Sequence, residues 1–380
     1  MMTTRVGKKV PITIALAICV AICLAPFGIA ASGESGSDLG APNRTQFAQM
    51  GDAPISIAPM RAYAASWSDD QAGELREARF GPSQVYDGTL YVGNLRTNQG
   101  DKAVTSIPGS VTPSPSAERF LFLDGYYYYV EDFPGNGSGA VKLHRANMRS
   151  GDDIVLADDV FSGTDVFYAD GEIAYTPFSD ESAVTVVDVK TGAKQNIDFG
   201  SPKGLCRLIG YHEKNAYISV ALYGSQTVIY HRSASDPEPY VVMRLDTGEE
   251  VAGLFEGALV TVNGTLVEVS DEGGPRWSCE LEQHPVANRF LCSGGYLFFD
   301  TSAKVDDSSK HVGRISLADG SKEEHATGLP VIFRVMHADK IGIYFCATED
   351  NSTKSLMGGS FNTYCCSIAS GIISNMDELD

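Results

Sequence analysis

The chain has 380 residues, 48 of them Asp or Glu against 29 Lys or Arg, and its formal net charge at pH 7 is −19. A surface of that sign repels phosphate backbones, and with no basic run or basic patch interleaved with aromatics, nucleic-acid binding is excluded. A hydrophobic share of 43% supplies a sizeable core, and 39 glycines point to a chain built from many turns.

Residues 1–31 read as a targeting segment. Arg5, Lys8 and Lys9 give a positive start, residues 11–25 are apolar without a charge, and Gly28, Ala30 and Ala31 offer a cleavage site. Left uncleaved, the run approaches the ~20 residues that span a bilayer, so signal peptide and N-terminal membrane anchor both stay open. A membrane enters only through this segment. Neither Cys19 nor Cys23 makes a lipoprotein signal, because each follows a bulky Ile. Either way the remaining chain is expected to be extracytoplasmic. Residues 32–82 begin rich in Gly and Ser and read as a flexible leader, with room for a strand that closes a ring.

From residue 83 to the end the chain repeats one pattern of four short strands. The clearest copy has strands at 120–123, 126–131, 141–148 and 153–157, with tight turns at Asp124-Gly125 and Ser150-Gly151. The next copy matches it, with Asp170-Gly171 and Thr191-Gly192 at the same places. Asp-Gly suits a two-residue hairpin turn because the central residues need positive φ, which Gly takes freely and Asp tolerates.

Later copies carry the same punctuation. The first turn recurs at Asp87-Gly88, Asn263-Gly264, Gly294-Gly295 and Asp339-Lys340, and the second at Thr247-Gly248, Asp319-Gly320 and Ser370-Gly371. Copies therefore begin near Ser83, Arg119, Asp165, Leu205, Phe255, Arg289 and Val331, a period of roughly 40 residues that belongs to propeller blades. The expected fold is all-β, a β-propeller of about seven four-stranded antiparallel blades over residues 83–380. Six stays open, because the first and fifth copies show too few strands.

Tyr127, Tyr128, Val130 and Glu131 on the second strand, with residues 145–151 leading into the second turn, resemble the signature of the YWTD-like and TolB-like propellers. The resemblance covers roughly residues 83–376, although the Tyr-Trp-Thr-Asp string is absent and the only Trp residues are Trp67 and Trp277. Members of that group bind proteins, glycans or small molecules, or act as scaffolds, so it implies a shape and no particular activity.

Residue patterns for chemistry are missing. There is no Gly-x-Ser-x-Gly elbow, no His-Glu-x-x-His pair, no phosphate-cradling loop and no dinucleotide fingerprint, so no cofactor is called for. Asp69-Asp70, Asp152-Asp153, Asp158-Asp159 and Asp306-Asp307 lack the alternating ligands of a calcium loop. The seven histidines are scattered singly. Past the targeting segment the cysteines are Cys206, Cys279, Cys292, Cys346, Cys365 and Cys366, with no zinc-site spacing. Disulfides are permitted in an exported domain, with Cys346 and Cys365 on neighbouring strands of the last blade and Cys279 and Cys292 flanking one connection. The alternative is that these are small buried hydrophobes.

Hairpin turns between first and second and between third and fourth strands share one face of the ring. The opposite face receives the longer loops, read here as 133–139, 177–182, 231–239, 301–310 and 348–362. Binding residues concentrate on loops held by a rigid scaffold. Phe133 and Phe178 are the candidate contacts, being large apolar residues in connections. The expected function is a non-catalytic extracytoplasmic module that binds a protein or glycan through this face. The alternative is a glycan- or peptide-processing enzyme with its site in the central funnel, favoured by two carboxylates, or a His and a carboxylate, converging there.

Overall fold

The computed structural model describes residues 61–64, 77–81, 83–86, 89–92, 119–131, 139–200, 202–222, 226–271, 273–285, 290–293, 295–301, 310–338, 342–348 and 362–376. All belong to one compact unit, and no α-helix occurs among them. The targeting segment, Phe133 and most of the long loops lie outside the described residues.

Twenty-eight strands are described, and they form seven antiparallel sheets, nearly all from neighbours in sequence. β1 (Arg61–Ala64), β2 (Glu77–Arg79), β3 (Ser83–Tyr86) and β4 (Thr89–Val92) come first, and β1-β4-β3 is the first sheet. The second holds β5 (Arg119–Leu123), β6 (Tyr126–Val130), β7 (Ala140–Asn147) and β8 (Asp153–Phe161). The third holds β9 (Val166–Ala169), β10 (Glu172–Tyr175), β11 (Ala183–Asp188) and β12 (Lys194–Asp198), with β2 added on the open edge of β9. The fourth is β13 (Leu205–His212), β14 (Asn215–Ala221), β15 (Thr227–Ser233) and β16 (Tyr240–Leu245). The fifth is β17 (Glu249–Phe255), β18 (Ala258–Asn263), β19 (Leu266–Asp271) and β20 (Gly274–Glu280). The sixth is β21 (Leu291–Ser293), β22 (Tyr296–Asp300), β23 (His311–Ser316) and β24 (Lys322–Ala326). The seventh is β25 (Val331–Ala338), β26 (Gly342–Thr348), β27 (Asn362–Ser367) and β28 (Ile373–Asn375).

The inner strands of neighbouring sheets touch one another, as β3 meets β5, β9 meets β13, β13 meets β17, β17 meets β21 and β21 meets β25, while residues 77–81 link β9 to β5. β25 in turn meets β3, so the sheets stand around an axis as the blades of a β-propeller. The blades read as near-continuous apolar runs because both of their faces are covered. Alternation sends neighbouring side chains to opposite interfaces: Phe298 packs toward the seventh blade with Ile343 and Phe345, while Phe299 packs toward the fifth with Val260 and Val267. The tyrosine run follows the same rule. Tyr128 joins the core shared with the third blade, and Tyr127 and Tyr129 stack on the other side at 5.0 Å.

The Asp-Gly turns form as expected, with φ of 51° and 77° at Asp124 and Gly125 and 47° and 86° at Asp170 and Gly171. The fifth blade corrects the reading of the sequence. It starts at Glu249, its first hairpin turns at Glu256-Gly257, and Asn263-Gly264 joins its second strand to its third. Thr247-Gly248 accordingly links the fourth blade to the fifth. Residues 234–239 join the third and fourth strands of the fourth blade, so they lie on the hairpin face and not with the long loops. β1 and β2 fall within the stretch read as a leader, β1 completing the first sheet and β2 lying inside the ring.

Candidate functional site

β2 creates the most distinctive site. The first strand of each blade leaves unpaired N–H and C=O groups along the axis, and an extended segment satisfies them by pairing. β2 runs antiparallel to β9, Phe80 N donates to Val166 O at 2.9 Å, and Gly81 then exchanges backbone bonds with Phe120 of β5. Ala78 packs against the core shared by the second and third blades. By the two-residue period of a strand, Glu77 and Arg79 point the other way, into an axial cavity of about 640 Å³ that both residues line.

The two ends of that cavity differ. At the loop end, Asp165 accepts from Arg79 Nη2 at 2.7 Å and from Arg207 Nη2 at 2.8 Å, tying β2, the third blade and the fourth. Burial alone would raise the Asp165 pKa, but the two guanidinium groups outweigh it and hold the carboxyl well below the usual range. At the hairpin end, His212 Nδ1 donates to Glu77 Oε1, which only accepts, so the proton sits on Nδ1. Glu213 Oε2 lies 3.9 Å from His212 Nε2. Asp170, Glu213 and Glu256 line the same end, each the first residue of the first hairpin turn in the third, fourth and fifth blades, with φ of 47°, 45° and 46°. Cys292 also lines the cavity, and burial pushes its thiol up to about 12, so it is protonated and no nucleophile at neutral pH.

A groove of about 340 Å³ between the fourth and fifth blades shares His212, Glu213 and Glu256 with the cavity. Its wall carries Tyr217 and His231, which are directly opposed on neighbouring strands with ring centroids 4.7 Å apart.

A separate polar cluster lies within the second blade. His144 Nε2 meets Glu131 Oε1 at 3.2 Å, its Nδ1 meets Asp153 Oδ1 at 3.1 Å, and Tyr129 Oη donates to Asp153 Oδ2 at 2.6 Å. Burial pulls the His144 pKa down, yet the two carboxylates more than offset it and hold the imidazole above its ordinary value.

Of the residues expected at the site, Phe178 stands on the loop face, 44% exposed, with its ring 6.0 Å from Phe161. Leu205 at the start of β13 and Leu266 at the start of β19 are exposed on the same face, 67% and 40%. The third, fourth and fifth blades thus each present an apolar side chain there. The cysteines expected to bridge are all present as thiols. Cys346 is opposite Thr363 and Cys365 opposite Tyr344, so the two are diagonal neighbours, roughly 7–8 Å apart in such ladders and past the ~7 Å limit for a bridge. Cys279 is on the outermost strand of the fifth blade and Cys292 on the innermost strand of the sixth, which puts the width of a blade between them. Sequence reasoning missed Glu77, Arg79, Asp165, Arg207 and His212, whose contacts join residues as far as 135 positions apart.

No family model matches this chain, and no curated protein matches it. Among solved structures, TolB from Acinetobacter baumannii is similar at 13% identity and a TM-score of 0.38, over 66% of this chain and 65% of that one. A nidogen/laminin complex gives 15% identity and a TM-score of 0.34, over 65% of this chain and 91% of that one. A prolyl endopeptidase gives 14% identity and a TM-score of 0.35, over 67% of this chain but only 48% of the endopeptidase. Likenesses of this size carry no argument about activity, and the propeller assignment rests on the seven sheets and their ring of contacts.

Proposed function

We propose that the chain is an extracytoplasmic, non-catalytic binding module that engages a protein or glycan through its loop face. The observation that carries this reading is that Phe178, Leu205 and Leu266 stand exposed there on three successive blades; the other exposed large apolar side chains among the described residues, Ile154, Val155, Tyr240, Val241 and Ile372, follow hairpin turns of the second, fourth and seventh. Apolar side chains on one face of a rigid scaffold are what an interface core needs, and the exposed carboxylates of Asp180 and Glu181, in the same connection as Phe178, would form a polar rim. The location outside the cytoplasm follows from residues 1–31 read as a signal or anchor. The test is capture from the native cell envelope, together with a glycan array, using the wild-type chain and Phe178→Ser/Leu205→Ser/Leu266→Ser. Loss of a specific partner in the triple variant, with unchanged circular dichroism, supports the reading. Retention of every captured partner at full affinity overturns it.

A second reading is favoured by one observation, the imidazole of His212 held by Glu77 inside the axial cavity. A carboxylate-oriented imidazole is the arrangement of a general base, and because the Cys292 thiol that also lines the cavity is held protonated, the base would act on water. Hydrolysis of a panel of glycoside or peptide substrates that disappears in His212→Ala would support this reading.

A further inference from the structure

We propose that the axial cavity is a binding site for a small, elongated organic cation bearing two or more amino groups, entering from the hairpin face. This site is distinct from the loop face and does not depend on a partner there. The cavity's volume of about 640 Å³ is that of an ordinary small-molecule pocket, roughly 300–1,000 Å³.

The chemistry of the lining selects the ligand. At the loop end both arginines of the cavity are bound to the one carboxylate of Asp165, which leaves a single positive charge there against four carboxylates at the other end. The hairpin end gathers carboxylates from four separate elements: Glu77 of β2 and the turn residues Asp170, Glu213 and Glu256. The nearest basic groups to the last two are at long range, His212 Nε2 to Glu213 and Arg276 Nη1 to Glu256, both at 3.9 Å. Glu213 and Glu256 side chains are 75% and 72% exposed, so their charge is available at the entrance. A concave site walled by low-dielectric side chains focuses such a field inward.

Two further features narrow the class from any cation to an organic one with spaced charges. Among the described residues, no three His, Cys, Asp or Glu side chains come close enough together to hold one metal ion, and the carboxylates of the hairpin end stand on four separate elements. Between the charged ends the cavity is lined by Ile209, Tyr211, Leu254 and Phe255, which suit methylene groups better than a hydrated ion. The cavity also runs into the groove between the fourth and fifth blades through their shared His212, Glu213 and Glu256, where Tyr217 and His231 form an aromatic wall. Ammonium groups are held well by aromatic rings next to carboxylates.

The experiment is isothermal titration calorimetry of the full chain with spermidine at physiological ionic strength. Saturable one-to-one binding is expected, weakened roughly tenfold or more in Glu213→Gln/Glu256→Gln. It should be unchanged in Asp180→Asn/Glu181→Gln, which removes the same charge from the loop face. Should the first pair melt early, Glu213→Asn/Glu256→Asn replaces it, since Asn tolerates the positive φ of both positions. Absence of saturable binding overturns the proposal. So does equal weakening in both charge-matched variants, or displacement by magnesium at equal charge concentration, because spermidine would then be a counter-ion of a generally acidic surface.

Discussion

His144 meets one carboxylate with each ring nitrogen, and because a carboxylate oxygen only accepts, both nitrogens must carry protons and the ring is charged. Its pKa is raised in the folded chain, so its contribution to stability is complete below the ordinary histidine value and is lost as pH rises through the raised one. Calorimetric melts of wild type and His144→Gln should therefore differ by on the order of 1 kcal/mol near pH ~5.5 and converge toward pH ~8. Asp165 behaves in the opposite sense: its depressed pKa gives stability that is present at neutral pH and lost only in strong acid. Asp165→Ala leaves Arg79 and Arg207 side by side without a counter-charge, and chemical denaturation should register a loss of about 3 kcal/mol or more. None of these residues carried a local signal in the sequence. Arg79 and Asp165 are 86 positions apart, and spacing rules reach only a few residues, so only the closed ring brings such partners together. The cysteines were misleading for a related reason: neighbouring strands were legible, but the register that sets Cys365 beside Tyr344 was not. Non-reducing peptide mapping should accordingly find Cys346 and Cys365 unbridged to each other.

At the scale of strands and turns, the blades were legible wherever the hairpin used Asp-Gly, Thr-Gly or Ser-Gly. The second and third blades were read nearly to the residue for that reason. The fourth and fifth were blurred because their first hairpins turn at Glu213-Lys214 and Glu256-Gly257, where Glu and Lys adopt positive φ without the usual residues. Asn263-Gly264 then imitated the missing signal one strand too late. Lys214 has φ of 67° and a largely solvent-exposed side chain, so Lys214→Gly should relieve the backbone and raise stability by about 1 kcal/mol, read as a urea midpoint shift. Gly313 on β23 is constrained in the other way. It pairs with Phe299, and a Cβ added there would stand 2.2 Å from the ring's Cζ, so Gly313→Ala should cost about 1–3 kcal/mol in thermal melts.

At the scale of the whole molecule, the four-stranded blades after the first are contiguous stretches of chain, and β25 of the seventh lies against β3 of the first. Among the described residues no strand is shared across that junction. β2, by contrast, pins the third blade to the second from inside through Ala169, Tyr168, Phe167 and Phe120. The ring itself was foreseeable from a repeated four-strand pattern. Its axial strand was not, because three residues of mixed polarity preceding the first repeat have no periodicity to read.

A strand enclosed by the ring also imposes an order on assembly. Residues 77–81 precede every complete blade in the chain, so during synthesis they are in place before the last blade exists, and the blades can gather around them. Attached instead after residue 380, the same segment would have to be threaded through an aperture that had already closed. A circular permutant that starts at Ser83 and carries residues 61–81 behind the C-terminus on a flexible linker should therefore keep most of its equilibrium stability but refold more slowly than the natural order, by stopped-flow fluorescence. Equal refolding rates would mean that the seam between the seventh and first blades opens freely enough to admit the strand from the side.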